Sequence, residues 1–121
     1  MNETALDDMV YGMSGDFRRD IADWVPVVTM YGGGGGYDWT IFHAFYSPAA
    51  RRYFWAGGAG CSCDYWGADI SSVGDFENGD RPALMAALRR FAEEHEYTFR
   101  ATDLVDALTK ANAFNPKGNN S

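Results

Sequence analysis

The side chains most able to do chemistry in this 121-residue chain are Cys61 and Cys63, one residue apart, and the five carboxylates Asp64, Asp69, Asp75, Glu77 and Asp80. Two thiolates can hold zinc if His43, His95 or Asp64 completes the four ligands. Structural zinc sites usually use Cys-x2-Cys twice, however, and no second pair exists here. Small thiols in a tight loop beside Trp55 and Trp66 are the stronger reading, so no metal or cofactor is expected. A redox role would need an electropositive setting to lower a thiol pKa, and Asp64 and Asp69 supply the opposite. The carboxylates resemble what a divalent-metal hydrolase or nuclease needs, but no lysine lies near them to manage a nucleophile. A solvated acidic loop accounts for them more simply. His43 sits in an apolar stretch and reads as a core histidine. His95, between Glu94 and Glu96, reads as a helix-end residue facing dipole and solvent. No set of nucleophile, base and orienting group emerges, so the chain is not expected to be an enzyme.

Gly32 to Gly36 invite a phosphate-loop reading, because bare backbone N-H groups can cradle an anion. The context is wrong: no Gly-Lys-Ser/Thr follows, a strand rather than a helix comes next, and Asp38 would repel phosphate. A hairpin loop is expected instead.

Net charge is −7, and residues 61–80 hold five acids and no base. That balance disfavours direct binding to nucleic acid or an anionic membrane and favours a protein partner with a basic surface. Within the same loop, Tyr65, Trp66 and Phe76 stand among Asp69, Asp75 and Glu77, the composition of aromatic anchors inside an acidic rim. These six are the expected partner-binding residues. No apolar run approaches the roughly 18 residues that span a bilayer, and no signal segment opens the chain, so cytoplasmic residence with reduced thiols is expected.

The elements that must position these groups follow from periodicity. Leu6, Met9, Val10 and Met13 allow a short helix, and Phe17, Ile21 and Trp24 one or two helical turns. Val25–Tyr31 is β-branched, with Pro26 suited to an edge strand. Trp39–Tyr46 is apolar on both faces and reads as a central strand. A turn at Ser47–Ala50 leads to a third strand, Arg51–Ala56, and residues 57–80 then read as one long loop tacked down by Ile70, Val73 and Phe76. Asp80 caps a helix with Pro82 in its first turn and Leu84, Leu88 and Phe91 inward. Tyr97–Arg100 could add an edge strand. Thr102 is the expected cap of a last helix with Leu104, Val105, Leu108 and Ala111 inward. The fold class is α+β: a three- to four-stranded antiparallel meander packed with two C-terminal helices, one domain over residues 1–114 and a flexible tail over 115–121.

The stretch from Tyr53 to Trp66, a strand running through glycines into Gly60-Cys61-Ser62-Cys63, resembles small uncharacterised proteins of actinobacterial phages. In those, a strand leads to a Gly-Cys-Ser-Cys motif and then to a helix rich in Ala, Leu and Arg, like Leu84 to Phe91. Asp64-Tyr65 stand here where prolines are common. The resemblance implies a phage accessory protein in the host cytoplasm and carries no catalytic residues. The expected function is therefore non-enzymatic binding of a host or phage protein, with inhibition of a host defence or regulatory factor. The alternatives are a small zinc domain using Cys61 and Cys63, or a metal-dependent hydrolase or nuclease using the acids from Asp64 to Asp80.

Overall fold

The computed structural model describes residues 19–32, 38–61, 66, 67 and 70–117. Four strands, β1 (Val25–Gly32), β2 (Asp38–Ser47), β3 (Arg52–Cys61) and β4 (Glu77–Gly79), form one antiparallel sheet in the order β1-β2-β3-β4. Helices α1 (Arg81–Glu94) and α2 (Ala101–Ala113) follow. The fold is the expected α+β meander with two C-terminal helices.

Alternation along β2 divides the core into two layers. Phe42 and Ala44 join Val28 and Met30 of β1, Tyr53 and Trp55 of β3, and the buried stripes of both helices. Phe45 faces the other way, with Phe54, Ile21, Trp24, Trp66 and Phe76. Because both faces of β2 are covered, apolar residues occupy both faces of its middle rather than alternating with polar ones. Leu84 and Leu88, one turn apart on α1, are fully buried and at about 2 kcal/mol each fix that helix to the sheet. Asp80 caps α1 by accepting from the Ala83 N-H at 3.0 Å, and Pro occupies the first turn. Arg81 donates to the carbonyls of Asn112 and Phe114, satisfying the open end of α2.

Four expectations are corrected. The third strand does not stop at Ala56: β3 continues through Gly57, Gly58, Ala59 and Gly60 to Cys61, with every residue matched to one of β2. Glycine carries little strand preference of its own, so the pairing is imposed by β2 and by rings packed over the glycines. The fourth strand is Glu77–Gly79, within the expected loop, whereas residues 95–98 form a turn closed by Thr98 N-H to His95 carbonyl at 2.9 Å. The cap of α2 is Arg100 rather than Thr102, because Asp103 reaches back to accept from the Arg100 N-H at 2.8 Å. Val105, expected inward, is 58% exposed; Ala107 and Ala111 provide the buried stripe. The helix proposed from Leu6 to Met13, the phenylalanine at 17 and Gly33 to Gly36 lie outside the described residues.

Candidate functional site

Of the residues expected to meet a partner, the two described aromatic ones are buried. Trp66 and Phe76 are 7% and 4% exposed. Phe76 meets Trp24 edge to face at 5.0 Å, and Trp66 meets His43 edge to face at 4.5 Å. Both rings are core, closing the layer opposite the helices, so neither is an exposed anchor. Sequence composition brought them beside the acids without revealing which way each ring points. Tyr65 and Asp69 lie outside the described residues, as do Cys63 and Asp64.

The acids that are described have local structural work. Asp75 accepts from the Ser71 N-H at 2.8 Å, the Ser71 hydroxyl at 3.2 Å and the Ser72 N-H at 3.2 Å, closing a short 3-10 turn at Val73–Asp75. Those bonds, the Ser71 N-H first, hold its carboxyl below the usual aspartate pKa. Glu77 accepts from the Trp55 indole N-H at 3.3 Å across the β3–β4 pair. Asp80 is the cap of α1.

Cys61 ends β3, and its carbonyl accepts from the Trp39 indole N-H at 2.9 Å. Among the described residues no group of three His, Cys, Asp or Glu side chains is close enough to hold a metal ion. His43 sits on the layer opposite the helices, where its Nδ1 lies 2.7 Å from the Thr29 hydroxyl. Burial pushes its pKa down from 6.5 to about 4, so the ring is neutral at pH 7 and Nδ1 can accept from Thr29. It is a satisfied core histidine.

A concave feature among the described residues lies elsewhere, between β3 and α1. A slot of about 320 Å³ has Phe42, Trp55, Ala87 and Phe91 on its apolar side, the backbone of Ala56, Gly57 and Gly58 along one wall, and Glu77, Arg90, Glu94 and His95 on its polar rim. Three features of the sequence create it. Gly57 has no side chain, which lets the Phe91 ring approach the strand: a Cβ there would lie 2.5 Å from that ring. Arg90 and Glu94 are four residues apart and share one face of α1. Strand β4 pairs only with Tyr53, Phe54 and Trp55, so beyond Trp55 no described strand covers the outer side of β3. The signal available in the sequence was the Gly57-Gly58 step after Trp55, taken together with the inward Phe91 and with Arg90 and Glu94 one turn apart on α1.

A smaller polar hollow of about 190 Å³ lies between β1 and α2, lined by Thr29, Tyr31, Asp103, Asp106 and Lys110 among others. Its volume falls below the range of about 300 to 1,000 Å³ common for ligand sites, while the β3–α1 slot reaches the lower end of that range.

No curated protein and no solved structure matches the chain. A family model does match, over residues 25–117. That span runs from the first residue of β1 through the sheet and both helices, leaving Ile21 and Trp24 outside it. The chain belongs to the family DUF7574, a domain of unknown function.

Proposed function

We propose that this chain is a non-enzymatic accessory protein that acts by binding a protein partner, with the slot between β3 and α1 as the contact surface. The observation that carries this reading is the slot itself: the half-buried Phe91 ring and the strand backbone at Gly57 and Gly58, beside Glu77, Arg90, Glu94 and His95, over a floor of buried Phe42, Trp55 and Ala87. A hollow with one partly exposed ring and several charged or polar groups around it suits the insertion of a long, polar-tipped partner side chain. The rim holds Glu77 and Glu94 against Arg90, on a chain of net charge −7, which favours a partner with a basic surface. In line with the Gly-Cys-Ser-Cys resemblance, the partner in this reading is a host or phage protein, a host defence or regulatory factor is the target, and the host cytoplasm is where they meet.

The test is a photo-cross-linkable amino acid placed at Arg90, on the rim, or at Val105, exposed on α2 away from the slot. Cross-linking of one defined protein from Arg90 and not from Val105 is the expected result. Equal recovery from both positions, or none from Arg90, overturns the reading.

A further inference from the structure

The two outer edges of the sheet are treated differently. β1 carries Pro26 and a register shift between Pro26 and Val28, two devices that keep an edge from pairing with another chain. On the other side, β4 covers β3 for three residues only, from Tyr53 to Trp55. The rest of β3, Ala56-Gly57-Gly58-Ala59-Gly60, contains no proline and no charged side chain, the usual protections of an edge. Its only side chains are methyl groups, so no side chain of its own obstructs a second backbone. Its outward N-H and C=O groups have no partner strand among the described residues. Unpaired backbone groups in extended geometry are a template for one more strand.

We infer that the partner binds as an extended segment that pairs with β3 along Ala56 to Gly60, continuing the sheet beyond β4, and that it carries a lysine or arginine side chain into the adjoining slot beside Glu77 and Glu94. This deepens the reading of the slot as the contact surface and rests on it. The wall of the slot is the backbone of Ala56, Gly57 and Gly58, so a strand added there presents alternate side chains toward α1. The basic side chain follows from charge: two carboxylates face one guanidinium on the rim, and Glu94 and Arg90 make no ion pair with each other. A second copy of this chain is disfavoured as the occupant, because β3-to-β3 pairing would bring together two rims of the same excess charge on two chains of −7.

The probe is a library of random linear peptides selected against the full chain, followed by synthesis of the enriched peptide and of the same peptide N-methylated at alternate residues. Enriched peptides should contain Lys or Arg among β-branched residues and should slow amide exchange at Ala56 to Gly60. Alternate N-methylation in the register that removes the pairing donors should weaken binding about tenfold or more. Glu94→Gln should weaken it several-fold while leaving exchange in α2 unchanged. Peptides that protect the slot-facing residues of α1 yet bind equally well in both N-methylated registers overturn the extended mode and leave the slot reading standing. Peptides that protect β1 or α2 instead overturn both. Failure of any peptide to enrich, or sedimentation of the free chain as a dimer with Ala56 to Gly60 protected, overturns the strand-addition inference alone, since the cross-link at Arg90 judges the slot separately.

Discussion

Gly57 and Phe91 fit together only because Gly57 has no side chain: a Cβ on Gly57 would stand 2.5 Å from one ring carbon of Phe91 and 2.7 Å from the next. Phe91 is held in turn by Phe42, His95 and Phe99 at ring distances of 5.4, 4.5 and 5.8 Å. Moving the ring off Gly57 would disturb these contacts. Gly57→Ala should destabilise the fold by about 1 to 3 kcal/mol, the usual cost of overpacking. Gly58→Ala is the control. A Cβ there meets Trp39 and Trp66 at ordinary contact distances of 3.7 Å, so that variant should be neutral or slightly stabilising. Denaturant midpoints of the two variants decide the point, and equal midpoints would mean that Phe91 does not sit over Gly57.

His43 makes stability depend on pH in a defined window. Its pKa is near 4 in the folded chain against 6.5 for an ordinary histidine, so between those values the unfolded chain binds more protons. Stability should accordingly be complete above pH 6.5 and fall as pH drops toward 4, by about 3 kcal/mol in all. In His43→Gln this component should vanish, so the difference between the two unfolding curves should shrink with acidification through that window. A difference independent of pH would contradict a buried neutral ring.

Tyr53 is buried, and its hydroxyl has no hydrogen-bond partner among the described residues. The ring is well used, edge to face with Tyr46 at 5.0 Å and with Phe114 at 6.0 Å. Tyr53→Phe keeps these contacts and removes a polar atom that folding leaves unsatisfied, so stability should rise by about 1 kcal/mol. The check is a higher denaturant midpoint with an unchanged slope.

Trp55 joins the helix-side core to the slot, with its indole N-H on Glu77. Trp55→Ala should cost about 3 to 5 kcal/mol, much of what a small domain has. Glu77→Gln keeps an acceptor for that N-H and should shift the thermal midpoint little. A large loss from Glu77→Gln would mean that the carboxylate charge itself supports the fold.

The sheet and helices were legible where side chains carry the pattern. β2 announced a strand covered on both faces, and Asp80, Pro82, Leu84 and Leu88 announced α1. The sequence was silent where backbone does the work. Gly57 to Gly60 carry no strand preference and become β3 only by pairing with β2. Glu77-Asn78-Gly79 is too short and polar to be noticed, and forms β4 because its neighbours Trp55 and Arg52 bond to Glu77 and Asn78. The burial of two expected anchors is hidden from the sequence for a related reason. Trp66 and Phe76 share a loop with the acids, but direction is set by packing against Trp24 and Phe45, which no local pattern encodes. The slot needs β3 and α1 brought together, so its residues were visible singly and not as a set.

Residue-resolved amide exchange, run on the free chain and on the chain with the protein captured by the Arg90 cross-link, tests the central claim most directly. The account predicts fast exchange of the outward amides between Ala56 and Gly60 in the free chain, strong protection of those amides in the complex, and no change across α2. Protection confined to β1 or α2, with β3 exchanging as before, would contradict it.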